Sequence, residues 1–122
     1  MSRRAGVLVA ALAVAVLAGG CDRRSPASAP PQPLDVQADS TGHYCGMLLV
    51  DHEGPKGQIH LASRDRPVWF SSVRDTIAFT RLPEEPRDVT AIYVSDMARA
   101  KQWRQPEPGA WVEARQAWFV LD

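Results

Sequence analysis

Cys45 and Met47 stand two residues apart with Gly46 between them. On an extended segment alternate side chains project to one face, so a thiolate and a thioether converge there on one point. The pair is soft, and soft sulfur donors select Cu(I) over zinc, calcium or magnesium. Gly46 removes a side chain that would crowd the backbone beside such an ion. Apart from the initiator, the only other methionine is Met97, expected at one end of a sheet and therefore the natural third sulfur. His43 and His52 bracket the triplet, and neutral imidazole also binds copper, so either could complete the site. His52 is kept as a reserve ligand beside its ordinary reading as a solvated loop residue. His60 alternates onto a strand face and is expected to be structural. Cysteine and methionine also fill cores, so the triplet alone is a weak signal.

Other chemistry has less support. There is no His-x-x-x-His or Cys-x-x-Cys spacing, no phosphate-cradling glycine loop and no Gly-x-Ser-x-Gly elbow. A cysteine-dependent enzyme can be drawn from Cys45 with His43 or His52, but no further signature accompanies it. Trp69, Trp103, Trp111 and Trp118 offer a second alternative, a binding module that takes a protein or peptide through exposed tryptophans. In a small domain these four are rather expected as core and lid material. With 14 Lys+Arg against 14 Asp+Glu, a basic surface for nucleic acid is not expected.

The N-terminus reads as an address. Arg3 and Arg4 precede an apolar run from Ala5 to Leu17, followed by the small residues Ala18, Gly19 and Gly20, which is the layout of a signal peptide over residues 1–20. The next residue is Cys21, and Leu17-Ala18-Gly19-Gly20-Cys21 looks like a bacterial lipoprotein cleavage box with leucine displaced by one place. Cys21 is thus the expected lipidation site, and the acyl chains would anchor the protein to a membrane. Removing Arg3 and Arg4 leaves 12 basic against 14 acidic residues. It also leaves Cys45 as the one usable thiol, and an exported protein that keeps an unpaired thiol needs a reason for it.

Residues 21–40 carry four of the ten prolines and no aromatic residue, so they are expected to form a flexible tether of extended character. The folded part is expected over residues 41–122. Tyr44 to Asp51 and Gln58 to Leu61, separated by the turn-rich Glu53-Gly54-Pro55-Lys56-Gly57, predict a β-hairpin. Val68 to Phe70 is a short extended piece. Ser71 or Ser72 then caps a helix from Val73 to Leu82, with Val73, Ile77, Ala78 and Leu82 facing inward. Val89 to Val94 predicts an interior strand, Ser95 a cap for a short helix carrying Met97, and Trp111 to Leu121 a final strand. The fold class is α+β, one sheet with a helix on its face.

Several runs carry a family resemblance: Tyr44-Cys45-Gly46-Met47, Asp51 to Ile59, Trp69 to Asp75 and Ala91 to Met97. In order and spacing they resemble NosL, the nitrous oxide reductase accessory lipoproteins. The resemblance covers most of residues 44–120 and implies a membrane-tethered periplasmic Cu(I) chaperone. Its implied partners are nitrous oxide reductase and an associated ABC-type transporter complex for that enzyme's maturation. The family's site falls on Cys45, Met47, Asp96 and Met97. The family fold implies a ββαβ unit followed by a second such unit, of which this chain would contain only the start. That fold resembles the core of organomercurial lyase, whose chemistry uses a pair of cysteines, whereas here only Cys45 is free. No enzymatic activity is therefore expected, and a monomer or weak dimer is.

Overall fold

The computed structural model describes residues 28–121. The expected signal peptide and Cys21 lie outside the described residues. Four strands, β1 (Gly57–Leu61), β2 (Val68–Phe70), β3 (Val89–Ser95) and β4 (Trp111–Glu113), form one antiparallel sheet in the order β2-β1-β3-β4. One helix, α1 (Val73–Phe79), connects β2 to β3. This is the expected α+β class with a ββαβ order, and β4 adds a fourth strand against β3.

The strand alternation divides the sheet into two faces. Ile59, Leu61, Val68, Phe70, Ile92 and Val94 point to one side and enclose Phe79 of α1 and Ala114. Ser72 caps α1, its Oγ accepting from the Asp75 amide at 3.1 Å. The inward residues of the helix are Thr76 and Phe79 rather than the expected Ile77 and Leu82. The rotation follows from Gly57 in β1, whose missing side chain leaves room for Thr76 directly on the strand backbone. The helix also stops at Phe79, short of Leu82, because the Thr80 hydroxyl bonds the Ile77 carbonyl at 2.7 Å and the chain continues as turns.

The predicted hairpin partner of β1 is not observed. Residues 44–51 are a loop followed by a short 3-10 turn (Leu49–Asp51), and β1 pairs instead with β2 and β3. Of the Met47-Leu48-Leu49-Val50 run only Leu49 is buried, so its apolar character does not mark a strand. The expected helix at Met97 is a single turn, with Asp96 Oδ1 accepting from the Ala98 amide at 3.1 Å. The last strand ends at Glu113, after which a 3-10 turn (Ala114–Gln116) leads to a Trp118 side chain that is fully exposed rather than core.

The second face of the sheet is covered by the proline-rich stretch itself, which is docked from Pro31 onward instead of hanging free. The Pro31 carbonyl accepts from the Tyr93 hydroxyl at 2.9 Å. Leu34 exchanges two hydrogen bonds with the buried Gln58 amide, at 2.9 and 2.8 Å. Asp35 Oδ1 receives both the Gly109 amide and the Trp111 indole N–H, at 2.7 and 3.1 Å. All five residues of β1 are buried because α1 covers one face and this strap the other.

His60 lies under the strap, as expected of a structural residue. The Leu34 amide fixes the Gln58 oxygen as an acceptor, so His60 Nε2, 2.9 Å from that oxygen, carries the proton. Burial pushes the His60 pKa below its usual value. The unfolded chain therefore binds the proton more readily, and stability must fall as pH drops below about 6.5 toward the depressed folded value. Thermal melts between pH 7.5 and 5 should show this loss, and His60→Gln should have a flatter profile; equal slopes would remove the assignment.

Candidate metal centre

The sequence 42–47 closes a tight loop at the end of the sheet where β2 and β3 finish and β1 and β4 begin. The Gly42 amide bonds the Met47 carbonyl at 2.9 Å and the Gly46 amide bonds the Gly42 carbonyl at 2.9 Å. Gly46 adopts φ +67°, and a side chain there would meet nothing within 4 Å. Glycine is thus required for the left-handed backbone and not, as expected, to relieve crowding. The loop is fastened to β2, whose Trp69 carbonyl accepts from the His43 amide at 2.7 Å.

Cys45, at the tip, is exposed and free. Its Sγ is 3.7 Å from Nε2 of His52. Of the two bracketing histidines it is the reserve ligand that meets the thiol. His43 turns the other way: its Nε2 is 3.3 Å from Glu85 Oε1, and its ring packs edge-on against Phe70 and Phe79. The Tyr44 hydroxyl donates to the same Glu85 oxygen at 2.9 Å. Burial, then the Glu85 bond and charge, push Tyr44 up to about 12, so it stays a neutral donor. Glu85 thereby ties down both residues that lead into Cys45, a role invisible in sequence because the two are more than forty positions from it.

Met47 follows Cys45 on the same loop and is 53% exposed. Met97 is half-buried in the turn after β3, at the same end of the sheet, and is not part of the Cys45–His52 contact. A chain of backbone contacts joins the two regions. The Lys56 amide donates to Ser95 Oγ and the Ser95 amide to the Lys56 carbonyl, each at 2.9 Å, one residue before Asp96 and Met97. The Lys56 ammonium turns back to donate to the carbonyls of His52 and Gly54 at 2.7 and 2.6 Å. Gln105, from the loop beyond Met97, reaches the His52 carbonyl at 3.4 Å, and the Arg104 carbonyl accepts from the Gly54 amide at 2.8 Å.

Among the described residues no three His, Cys, Asp or Glu side chains are grouped to hold a metal. What the described residues do bring together is a thiol and an imidazole, with Met47 two residues from the thiol in sequence. Cys45 and Met47 are exposed, whereas His52 and Met97 are half-buried.

The architecture defines an α+β domain with an exposed free thiol on a tight loop, next to an imidazole at 3.7 Å. The NosL family description matches residues 33–122, and the chain belongs to the NosL family. It is 44% identical over 90 residues to the copper-binding lipoprotein NosL of Achromobacter cycloclastes, covering 73% of this chain and 47% of that protein. It is 31% identical over 118 residues to the copper-binding lipoprotein NosL of Stutzerimonas stutzeri, covering 96% of this chain and 60% of the relative. The chain thus spans about half to three-fifths of the length of these relatives. The fold superimposes on the crystal structure of the copper chaperone NosL from Shewanella denitrificans with a TM-score of 0.69 and 34% identity, over 76% of this chain and 69% of that one.

Proposed function

We propose that this chain is a Cu(I)-binding metallochaperone, anchored through a lipid on Cys21 and working in the periplasm. Its cargo is copper for the copper centres of nitrous oxide reductase, delivered with that enzyme's ABC-type transporter maturation complex. The observation that carries the reading is the contact of the exposed Cys45 thiol with the His52 imidazole, at 3.7 Å, on a loop that also bears Met47. The names of the relatives, copper-binding lipoproteins and a copper chaperone, support it.

In this reading Cys45 loses its proton and binds Cu(I) as thiolate, neutral His52 offers Nε2, and Met47 and Met97 are the thioether donors. Transfer proceeds by ligand exchange. An exposed site with few donors leaves a position open to the incoming ligand of the partner, which a closed tetrahedral cage does not. Asp96 is left out of the donor set in this reading because a hard carboxylate suits Cu(I) poorly; its Oδ1 accepts from the Ala98 amide in the Met97 turn.

An anaerobic Cu(I) titration of the mature chain against a chromophoric chelator tests the proposal. One equivalent of metal is expected to move to the protein with release of a proton, so the apparent affinity rises with pH until the thiol is ionised. A folded chain that leaves all copper with the chelator would overturn it.

A further inference from the structure

Lys56 is 4% exposed, yet it occupies a turn-rich segment where lysine would ordinarily be solvated. Burying an ammonium is costly unless its donors are matched, and here two of its three are matched by main-chain carbonyls. The two short bonds fix the orientation of the His52 and Gly54 peptide groups. His52 is the residue whose ring meets the Cys45 thiol. On its other side Lys56 is joined by a reciprocal pair of bonds to Ser95, at the end of the strand that leads into Met97. An apolar side chain would fill the same space without holding either carbonyl.

We infer that Lys56 is a positioning residue of the metal site, its ammonium holding the His52 imidazole at the Cys45 thiol. The inference rests on the copper reading given above. Lys56 touches no metal; it acts through the backbone of His52, as outer-shell partners orient ligands in metal sites generally. The His52 carbonyl also receives the more distant Gln105 amide, a weaker support from the opposite loop.

The test is a double-substitution cycle on the mature chain. Cu(I) affinity is read by chelator competition, and the nitrogen donor by X-ray absorption at the copper edge. Lys56→Met keeps the stem and removes the ammonium; it is expected to weaken Cu(I) binding about tenfold and to diminish the nitrogen contribution. His52→Ala is expected to lose a similar factor, and the two together no more than His52→Ala alone. A folded Lys56→Met protein with parental affinity and an intact nitrogen shell would overturn the inference, as would losses that multiply in the double variant. Should Lys56→Met not fold, Lys56→Gln keeps a neutral amide N–H donor group on a shorter side chain and is expected to lose less than Lys56→Met; parental affinity there also overturns the inference. A parent chain that takes no copper overturns the copper reading itself, and this inference with it, so the two failures are distinct.

Discussion

Replacing Cys45 by serine is expected to abolish Cu(I) binding while leaving the fold unchanged. The thiolate is the one anionic soft donor of the cluster, and a serine hydroxyl is neutral and hard. The loss should exceed the roughly ten- to hundredfold that follows removal of an outer-shell partner. Because Cys45 is exposed and its sulfur meets only the His52 ring among hydrogen-bonding groups, the melting temperature should move little, within about 0.5 kcal/mol of stability. Met47→Leu and Met97→Leu should each weaken binding less, since a thioether is the weaker donor and one can stand in for the other. Chelator competition beside thermal melts checks both quantities. Retained stoichiometric binding by the serine variant would remove Cys45 from the site.

The second large effect concerns the fold. Gly57→Ala is expected to destabilise the domain by about 3 kcal/mol or more, lowering the melting temperature by more than about 10 °C. A methyl group there would overlap the Thr76 hydroxyl and stand 2.7 Å from Thr76 Cβ and Cγ2. Thr76 cannot retreat easily: it is fully buried, and its hydroxyl bonds the Ser72 carbonyl at 2.8 Å in the first turn of α1. Moving the helix would open the layer formed by Phe79, Phe70 and Ile59. Such a loss is a large fraction of what a domain of this size has. Thr76→Ala in the same chain should restore part of it by removing the hydroxyl and methyl, and calorimetry on the three variants checks the pairing. Wild-type stability in Gly57→Ala would show that the helix does not press on β1.

Much of the scaffold was legible because it obeys local rules. The near-continuous apolar run of β3 marks a strand covered on both faces, and Ser72 with Asp75 marks a helix start. The donor residues were legible as residue types. Their arrangement was not, because it depends on contacts between segments that sequence periodicity does not link. The Tyr44–Asp51 run looks like a strand by composition, yet Gly46 turns the chain sharply and the backbone bonds of residues 42 and 46 stay within the loop. Nothing local distinguishes His43 from His52. Glu85, after α1, draws the first away, while the route of the chain into β1 brings the second back. Lys56 is the clearest omission: its sequence neighbourhood signals an exposed turn, and only the converging carbonyls of His52 and Gly54 explain a buried ammonium.

The docking of the chain from Pro31 onward onto the sheet has a further consequence for how copper would change hands. If Cys21 carries the proposed lipid, only nine residues separate the anchor from Pro31, a fully extended span of at most about 30 Å. The domain would then search a shallow layer above one membrane instead of a whole compartment. A recipient held in that same layer would meet it at a higher local concentration than one free in the compartment. Weak, short-lived encounters would suffice under those conditions, and they suit a donor set that must let its metal go.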